Sequence, residues 1–183
     1  MASEFSIRHA AHIIRCGGII AYPTETLYGL GCNPYNARAV KNINRVKRRP
    51  PSKHFILLAG HIDQITPLIN INGTQKHMIT QACEPTSWVV DANQQAPAWL
   101  TSLEHTLTIR ISDNAIVKKL CDVLGHAIIS TSANISGKPP AKNSLDIHKY
   151  FTHTIDKILA TNQKLIAKPS KIIRLCDNFV LRD

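Results

Sequence analysis

Apolar and polar positions divide the chain into short helical and extended stretches that alternate. In Ser6–Cys16, Ile7, Ala10, Ala11 and Ile14 recur at helical spacing and Gly17-Gly18 closes the stretch, which predicts a helix. Ile19–Tyr22 reads as a strand. Asn36 is placed to cap a second helix that runs to Lys47 with Val40, Ile43 and Val46 on its apolar side, and Pro50-Pro51 stops it. Phe55–Ala59 is the next strand, Thr74–Cys83 a helix, and Trp88–Val90 a buried strand. Thr106–Ile111 alternates, with Leu107, Ile109 and Ile111 on one face and Thr108 and Arg110 on the other, so Arg110 points away from the apolar face of its own strand. Asp113 reads as the cap of a helix ending at Leu124-Gly125, Ala127–Ser130 as a strand, and Ser144 as the cap of a short helix. Lys171–Leu175 and Phe179–Leu181 are the closing strands. Alternating elements with short or irregular connections predict an α/β fold, a twisted mixed sheet flanked by helices. No repeat or composition shift divides residues 1–183, so one domain is expected.

Charge narrows the partners. A net charge of +10 makes polyanions the natural ones: nucleotides, RNA or acidic surfaces. The excess is concentrated between Lys41 and Lys53, a stretch holding Arg45, Lys47, Arg48 and Arg49 and no acidic residue. The five cysteines are far apart, without Cys-x-x-Cys, and read as small core hydrophobes in a reducing compartment. The nine histidines form no His-Glu-x-x-His, so no protein-held metal is expected. No secretory signal or membrane-length apolar run occurs, and a cytoplasmic location away from membranes is the expectation.

Three polar segments carry the chemistry. Lys47-Arg48-Arg49-Pro50 supplies fixed cationic donors at a helix end. Ser130-Thr131-Ser132-Ala133-Asn134 supplies hydroxyls, an amide and backbone N–H groups where a strand meets a loop. Such groups hold a polyphosphate while its charge redistributes. The third segment, Tyr22-Pro23-Thr24-Glu25-Thr26 through Tyr28-Gly29-Leu30-Gly31, leaves a strand at Pro23 and carries glycines that permit close backbone approach. Taken singly, a basic helix end suits the helix dipole, and a Ser/Thr/Asn run suits a turn. Neither a Walker A loop nor Gly-x-Gly-x-x-Gly is present.

With these three segments in this order, from about Ile14 to Leu175, the chain resembles the YrdC/TsaC family of threonylcarbamoyl-adenylate synthases, in its short single-domain branch. The resemblance implies a curved sheet lining a basic concave cavity. It implies a nucleotidyltransferase that forms L-threonylcarbamoyladenylate and pyrophosphate from L-threonine, bicarbonate and ATP, toward the t6A modification of tRNA. Magnesium would arrive with ATP, the adenylate would pass to a downstream tRNA threonylcarbamoyl transferase complex, and a weak RNA or tRNA contact by the enzyme itself is compatible with the resemblance. On this resemblance Lys47 and Arg49 serve the ATP phosphates as the catalytic pair, Ser132 and Asn134 donate to the nucleotide, and Arg182 is a further nucleotide contact. Thr24, Ser130 and Ser170 lie near threonine, and Arg110 suits its carboxylate.

Glu25 could ligate magnesium, although pairing with a neighbouring Lys or Arg is the expected role. Tyr22, Tyr28 and Trp88 read as core or cavity wall. Two departures from the family pattern stand out. Cys83-Glu84-Pro85-Thr86-Ser87-Trp88 has Glu84 where relatives have a turn glycine, which would place an acid near the phosphates and alter a turn that needed a positive φ. Ala167-Lys168-Pro169 lacks the glycines often found before Ser170. Two other readings compete. One is a non-catalytic RNA-binding module, favoured by charge and disfavoured by scarce aromatics. The other is a carbamoyl-transfer domain of the same fold, disfavoured by the absence of accessory zinc motifs.

Overall fold

The computed structural model describes residues 2–50, 53–161, 165 and 169–183. Five α-helices, two short 3-10 helices (Ile62–Gln64 and Thr66–Leu68) and nine strands are found among them. The strands are β1 (Ile20–Pro23), β2 (Tyr28–Gly31), β3 (Ile56–Ala59), β4 (Thr86–Asp91), β5 (Thr106–Ile111), β6 (Ile128–Ser132), β7 (Lys157–Ile158), β8 (Lys171–Arg174) and β9 (Phe179–Arg182). They form one mixed sheet in the order β7-β1-β2-β6-β3-β5-β4-β8-β9. Pairs β1/β7, β3/β5 and β4/β8 are parallel, and the others antiparallel. The expected twisted mixed sheet flanked by helices is the fold observed.

Helices α1 (Glu4–Arg15), α2 (Ala37–Lys47), α3 (Gly73–Thr80), α4 (Ala115–Leu124) and α5 (Ser144–Phe151) start where a side-chain oxygen takes an otherwise orphaned N–H. Asn36 does this for α2, accepting from Ala39 N at 3.1 Å, as its position in the sequence indicates. Several predicted boundaries need correction. Helix α1 starts at Glu4, two residues before the expected Ser6, because Ser3 caps it, accepting from Ser6 N at 3.2 Å. Asn114, not Asp113, caps α4, because the Asp113 carboxylate is engaged by Lys118 at 2.8 Å. Asn143, not Ser144, caps α5. Helix α3 begins at an Asn72/Gln75 capping box and ends before Cys83. The cysteines also divide: Cys32 and Cys121 are buried, whereas Cys16, Cys83 and Cys176 are exposed, so only two of them act as core hydrophobes.

The pleat distributes each strand between two cores. Ile20, Tyr22, Leu58 and Ile128 meet α1 and α4 on one side, through Ile14, Val117 and Leu120 among others. Their neighbours Ile19, Ala21, Leu57 and Ile129 join the larger core, which takes in Val40 and Ile43 of α2 and Phe151 of α5. Helices α1 and α4 cover only part of their face. Beyond them the same alternation continues as Ile56, Thr108, Arg110, Ser130 and Ser132, and these line a cavity instead of a core. The site is thus the uncovered part of a sheet face. At the far edge, β9 is exposed along its length, with Phe179 at 57%, Val180 at 44% and Leu181 at 51%. Among the described residues no helix is long and apolar enough to cross a membrane.

Strand β2 was not predicted, since two of its four residues are glycine and glycine is depleted in strands. Packing explains them: a Cβ at Gly31 would stand 2.6 Å from Ile129 O and 2.7 Å from the Tyr22 ring. Gly73, at the start of α3, has open space around it. Gly31→Ala is therefore expected to destabilise the fold by about 1–3 kcal/mol, and Gly73→Ala to stabilise it by up to about 1 kcal/mol, in urea unfolding monitored by circular dichroism. Equal midpoints for the two variants would show that β2 tolerates a side chain facing Tyr22.

Candidate active site

The cavity encloses about 230 Å³. Thr24, Arg49, Arg110, Ser130, Ser132, Ser170 and Arg182 all line it. Residues from five parts of the sequence therefore meet on one surface. Lys47 and Asn134 do not line it; they lie behind Ser132.

One wall is built by the turn between β1 and β2. Thr24 Oγ1 accepts from the N–H groups of Thr26 and Leu27, each at 3.2 Å, and donates to Leu27 O at 2.8 Å. That closure projects Glu25 across to the end of β5 and the start of α4. Its carboxylate accepts from Arg110 Nη2, from Ser112 Oγ at 2.5 Å and from Asn114 N at 2.8 Å. Burial alone would raise the Glu25 pKa; the charge of Arg110 and these hydrogen bonds outweigh it and hold the carboxyl below its usual value. Glu25 is therefore paired with an arginine, as expected, though with one 85 residues distant. Arg110 is 5% exposed, donates weakly to Thr26 Oγ1 at 3.3 Å, and has no partner for its Nε N–H among the described residues. It retains hydrogen-bonding capacity beside the cavity it lines.

The opposite wall joins the two other segments. Lys47 ends α2 at 2% exposure, and its ammonium donates to Ser132 O, to Asn134 O at 2.8 Å and to Asn134 Oδ1 at 3.2 Å. An ammonium has three donors, so these oxygens account for all of them. Burial, and after it the charge of Arg49, push the Lys47 pKa down to about 7. The three oxygens favour the charged form and act against that fall. Ser132 Oγ donates to Asn134 Oδ1 at 2.6 Å, and Asn134 Nδ2 donates to Lys138 O at 2.6 Å. The loop is thereby fixed with the Ser132 side chain at the cavity.

Arg49 leaves α2 through Arg48, whose φ of 51° turns the chain back. Its guanidinium lies 5.0 Å from the Phe55 ring centroid and donates to His54 O at 2.7 Å, while burial lowers its pKa. At the far end, Ser170 Oγ lies 2.8 Å from Ser87 Oγ, and Arg182 donates to Ser170 O at 2.6 and 3.1 Å. The Arg182 pKa is lowered by burial and by Arg110, so these cations oppose each other across the cavity. Two guanidiniums so placed favour an anion between them.

Thr26, His54 and Thr131 also line the cavity and were not singled out from the sequence. Thr26 sits in a segment already recognised; His54 had no signal, being an isolated histidine after a proline pair. Tyr22 and Trp88 are core residues and Tyr28 is both core and wall. Glu84 requires correction: it is exposed, does not line the cavity and does not have a positive φ. No negative charge is introduced beside the cationic groups at that turn. Ala167 and Lys168, the other departure, lie outside the described residues, as does Pro51 of the predicted helix stop.

Residues 12–183 match the sequence profile of the Sua5/YciO/YrdC family, whose description reads "Telomere recombination". The chain is 35% identical over 178 residues to a threonylcarbamoyl-AMP synthase of Cellvibrio japonicus, covering 96% of this chain and 94% of that one. It is 38% identical over 177 residues to a protein of the same name from Methylobacillus flagellatus, covering 96% and 98%. Among solved structures, P. abyssi Sua5 complexed with L-threonine superposes with a TM-score of 0.89 at 30% identity. The match covers 96% of this chain and 52% of that one, so the chain spans about half of Sua5. E. coli YciO shares the fold, with a TM-score of 0.88 at 24% identity, over 99% of this chain and 90% of that one.

The Lys47 environment has a pH signature. Its folded pKa of about 7 lies below the ~10.4 of an unfolded lysine, so between these values the unfolded chain binds more protons. Stability then rises with pH across that window. Lys47→Met lacks the titrating group. From pH 7 to pH 9 the wild type is expected to gain on this variant by up to about 1.4 kcal/mol per pH unit, measured by urea unfolding. A difference independent of pH would place the ammonium near its ordinary value.

Proposed function

The chain belongs to the Sua5/YciO/YrdC family, and from that membership we propose that it forms L-threonylcarbamoyladenylate and pyrophosphate from L-threonine, bicarbonate and ATP, in the t6A modification of tRNA. The observation that carries this reading is the near full-length similarity to proteins named threonylcarbamoyl-AMP synthase. The cavity supports it, because it joins a wall suited to an amino acid to a wall suited to phosphates.

The threonine amine and bicarbonate combine with loss of water to give a carbamate. A carbamate oxygen attacks the α-phosphate in line, the new P–O bond forms as the bond to the β-phosphate oxygen breaks, and pyrophosphate leaves with the charge. Positioning and electrostatics, without a proton-shuttling triad, are sufficient for such a displacement. Arg110 receives the threonine carboxylate at the cavity it lines, with Thr24, Ser130 and Ser170 around the amino acid. Arg49 meets the phosphates as a planar fork, Ser132 donates its hydroxyl, and Arg182 closes the nucleotide end. Lys47 and Asn134 belong to the phosphate wall: the ammonium beneath the loop stabilises charge developing above it and keeps Ser132 aimed. Magnesium enters as part of the ATP substrate, held by phosphate oxygens and waters. The adenylate then passes to a tRNA threonylcarbamoyl transferase complex.

The test is pyrophosphate release from ATP with threonine and bicarbonate each omitted in turn. Release should require both; a non-catalytic RNA-binding module would show none. Arg110→Gln should raise the threonine KM by about 10- to 150-fold, the loss of a charge-assisted hydrogen bond, and change the ATP KM far less. Lys47→Ala should lower turnover by about two to three orders of magnitude in protein that remains folded by circular dichroism. Equal effects of Arg110→Gln on both substrates would remove Arg110 from the threonine wall.

A further inference from the structure

Strand β4 buries a hydroxyl that neither the core nor the cavity lining requires. Ser87 is 0% exposed. Its neighbour Trp88 belongs to the larger core, so the pleat turns Ser87 to the other face of the sheet. Strand β4 runs parallel to β8, and the register partner of Ser87 there is Ile172, which lines the cavity. Ser87 itself does not line it. The residue thus lies on the cavity face of the sheet, beneath the lining. Ser170 stands two positions before Ile172, a diagonal neighbour across the two strands, and its Oγ is 2.8 Å from Ser87 Oγ. The Ser87 side chain makes no other hydrogen bond among the described residues.

The direction of that bond decides what Ser170 can do. A hydroxyl has one proton to give and two lone pairs with which to accept. If Ser87 accepted from Ser170, its own proton would be sealed in the sheet without an acceptor, the costly arrangement for a buried polar group. Ser170 lines the cavity, so its proton has another destination. Arg182 does not reverse this order. It donates to Ser170 O at 2.6 and 3.1 Å and reaches Ser170 Oγ at 3.5 Å, and a guanidinium has no acceptor to offer. Both lone pairs of Ser170 Oγ therefore face protein donors, a strong one at Ser87 and a weak one at Arg182. One proton is left over, and it points to the cavity.

On the reading that places L-threonine beside Ser170, we propose that Ser87 is a positioning residue for the amino-acid substrate. It donates to Ser170 Oγ and so holds the Ser170 hydroxyl as a donor aimed at an oxygen of threonine, without touching the substrate itself. A hydroxyl whose lone pairs are occupied does not accept from the threonine amine. That amine stays free to combine with bicarbonate, while the oxygens of the amino acid are the groups that are held.

The experiment is titration calorimetry of L-threonine into the full chain and into Ser87→Ala, Ser170→Ala and the double variant, with ATP titrated in parallel. Ser87→Ala should weaken threonine binding by about 2- to 12-fold, the worth of one neutral hydrogen bond, and leave ATP binding in place. In the Ser170→Ala background the same change should have no further effect on threonine, because the hydroxyl it orients is gone. A residue that only packs would weaken both ligands alike, by the same factor in either background. The positioning role is overturned if Ser87→Ala binds threonine as the wild type does, if ATP binding falls equally, or if the full loss recurs without Ser170. A wild type that binds no threonine removes the threonine wall and Ser87 with it. Binding is read without turnover, so absence of pyrophosphate release counts against the adenylate-forming reaction and leaves the Ser87 result standing.

Discussion

The buried pair of Glu25 and Arg110 is the constraint on which the site is built. A guanidinium at 5% exposure persists only where an anion meets it, and breaking such a pair from one side costs about 3–5 kcal/mol. The anion comes from a turn that is otherwise held by its self-closure around Thr24 and by a weak bond from Arg110 to Thr26 Oγ1. By also accepting from Ser112 and Asn114, the same carboxylate ties that turn to the end of β5 and the first turn of α4. A turn near residue 25 and the consecutive elements β5 and α4, more than 80 residues further on, are located relative to one another by one side chain. The negative end of the pair is saturated while the positive end is not, which leaves the cavity with unspent donor capacity in spite of the ion pair beneath it.

A comparable economy operates on the opposite wall. The Lys-Arg-Arg-Pro and Ser-x-Asn segments contribute different residues, but Lys47 is hydrogen-bonded to both Ser132 and Asn134, and Ser136 N donates to Lys47 O at 2.9 Å. They form one unit. Arg49 and Ser132 face the cavity because Lys47 and Asn134 face each other. A substitution at Lys47 therefore acts on geometry as well as on charge, and an arginine there would bring a planar fork where three oxygens are arranged around a point.

Much of this was legible in the sequence. Helical spacing and cap residues located α2 closely, strict alternation located β5 residue for residue, and the three polar segments contain Thr24, Arg49, Ser130 and Ser132, four of the seven expected site residues that line the cavity. What was not legible depended on partners far along the chain. Strand β2 looked like a glycine loop until Tyr22 was placed against it. The strand β7 is two residues long and exists through its pairing with β1. Caps at 113/114 and 143/144 involve adjacent polar residues, each with a plausible oxygen; at the first, Asp113 is already engaged by Lys118. Glu84 looked consequential because of what it replaces, whereas its location on the surface makes it neutral for the site.

The exposure of β9 has a consequence for how the cavity moves. Its floor, β3, β5 and β6, lies in the interior of the sheet with hydrogen-bonded strands on both sides. Arg182, by contrast, is carried by the outermost strand, beside a register irregularity at Ile172/Ile173. Local opening follows coverage, so backbone amides of β9 exchange with solvent deuterium well before those of the floor. The cavity then has a rigid base and one soft side, so its opening can widen at Arg182 while its floor stays in place.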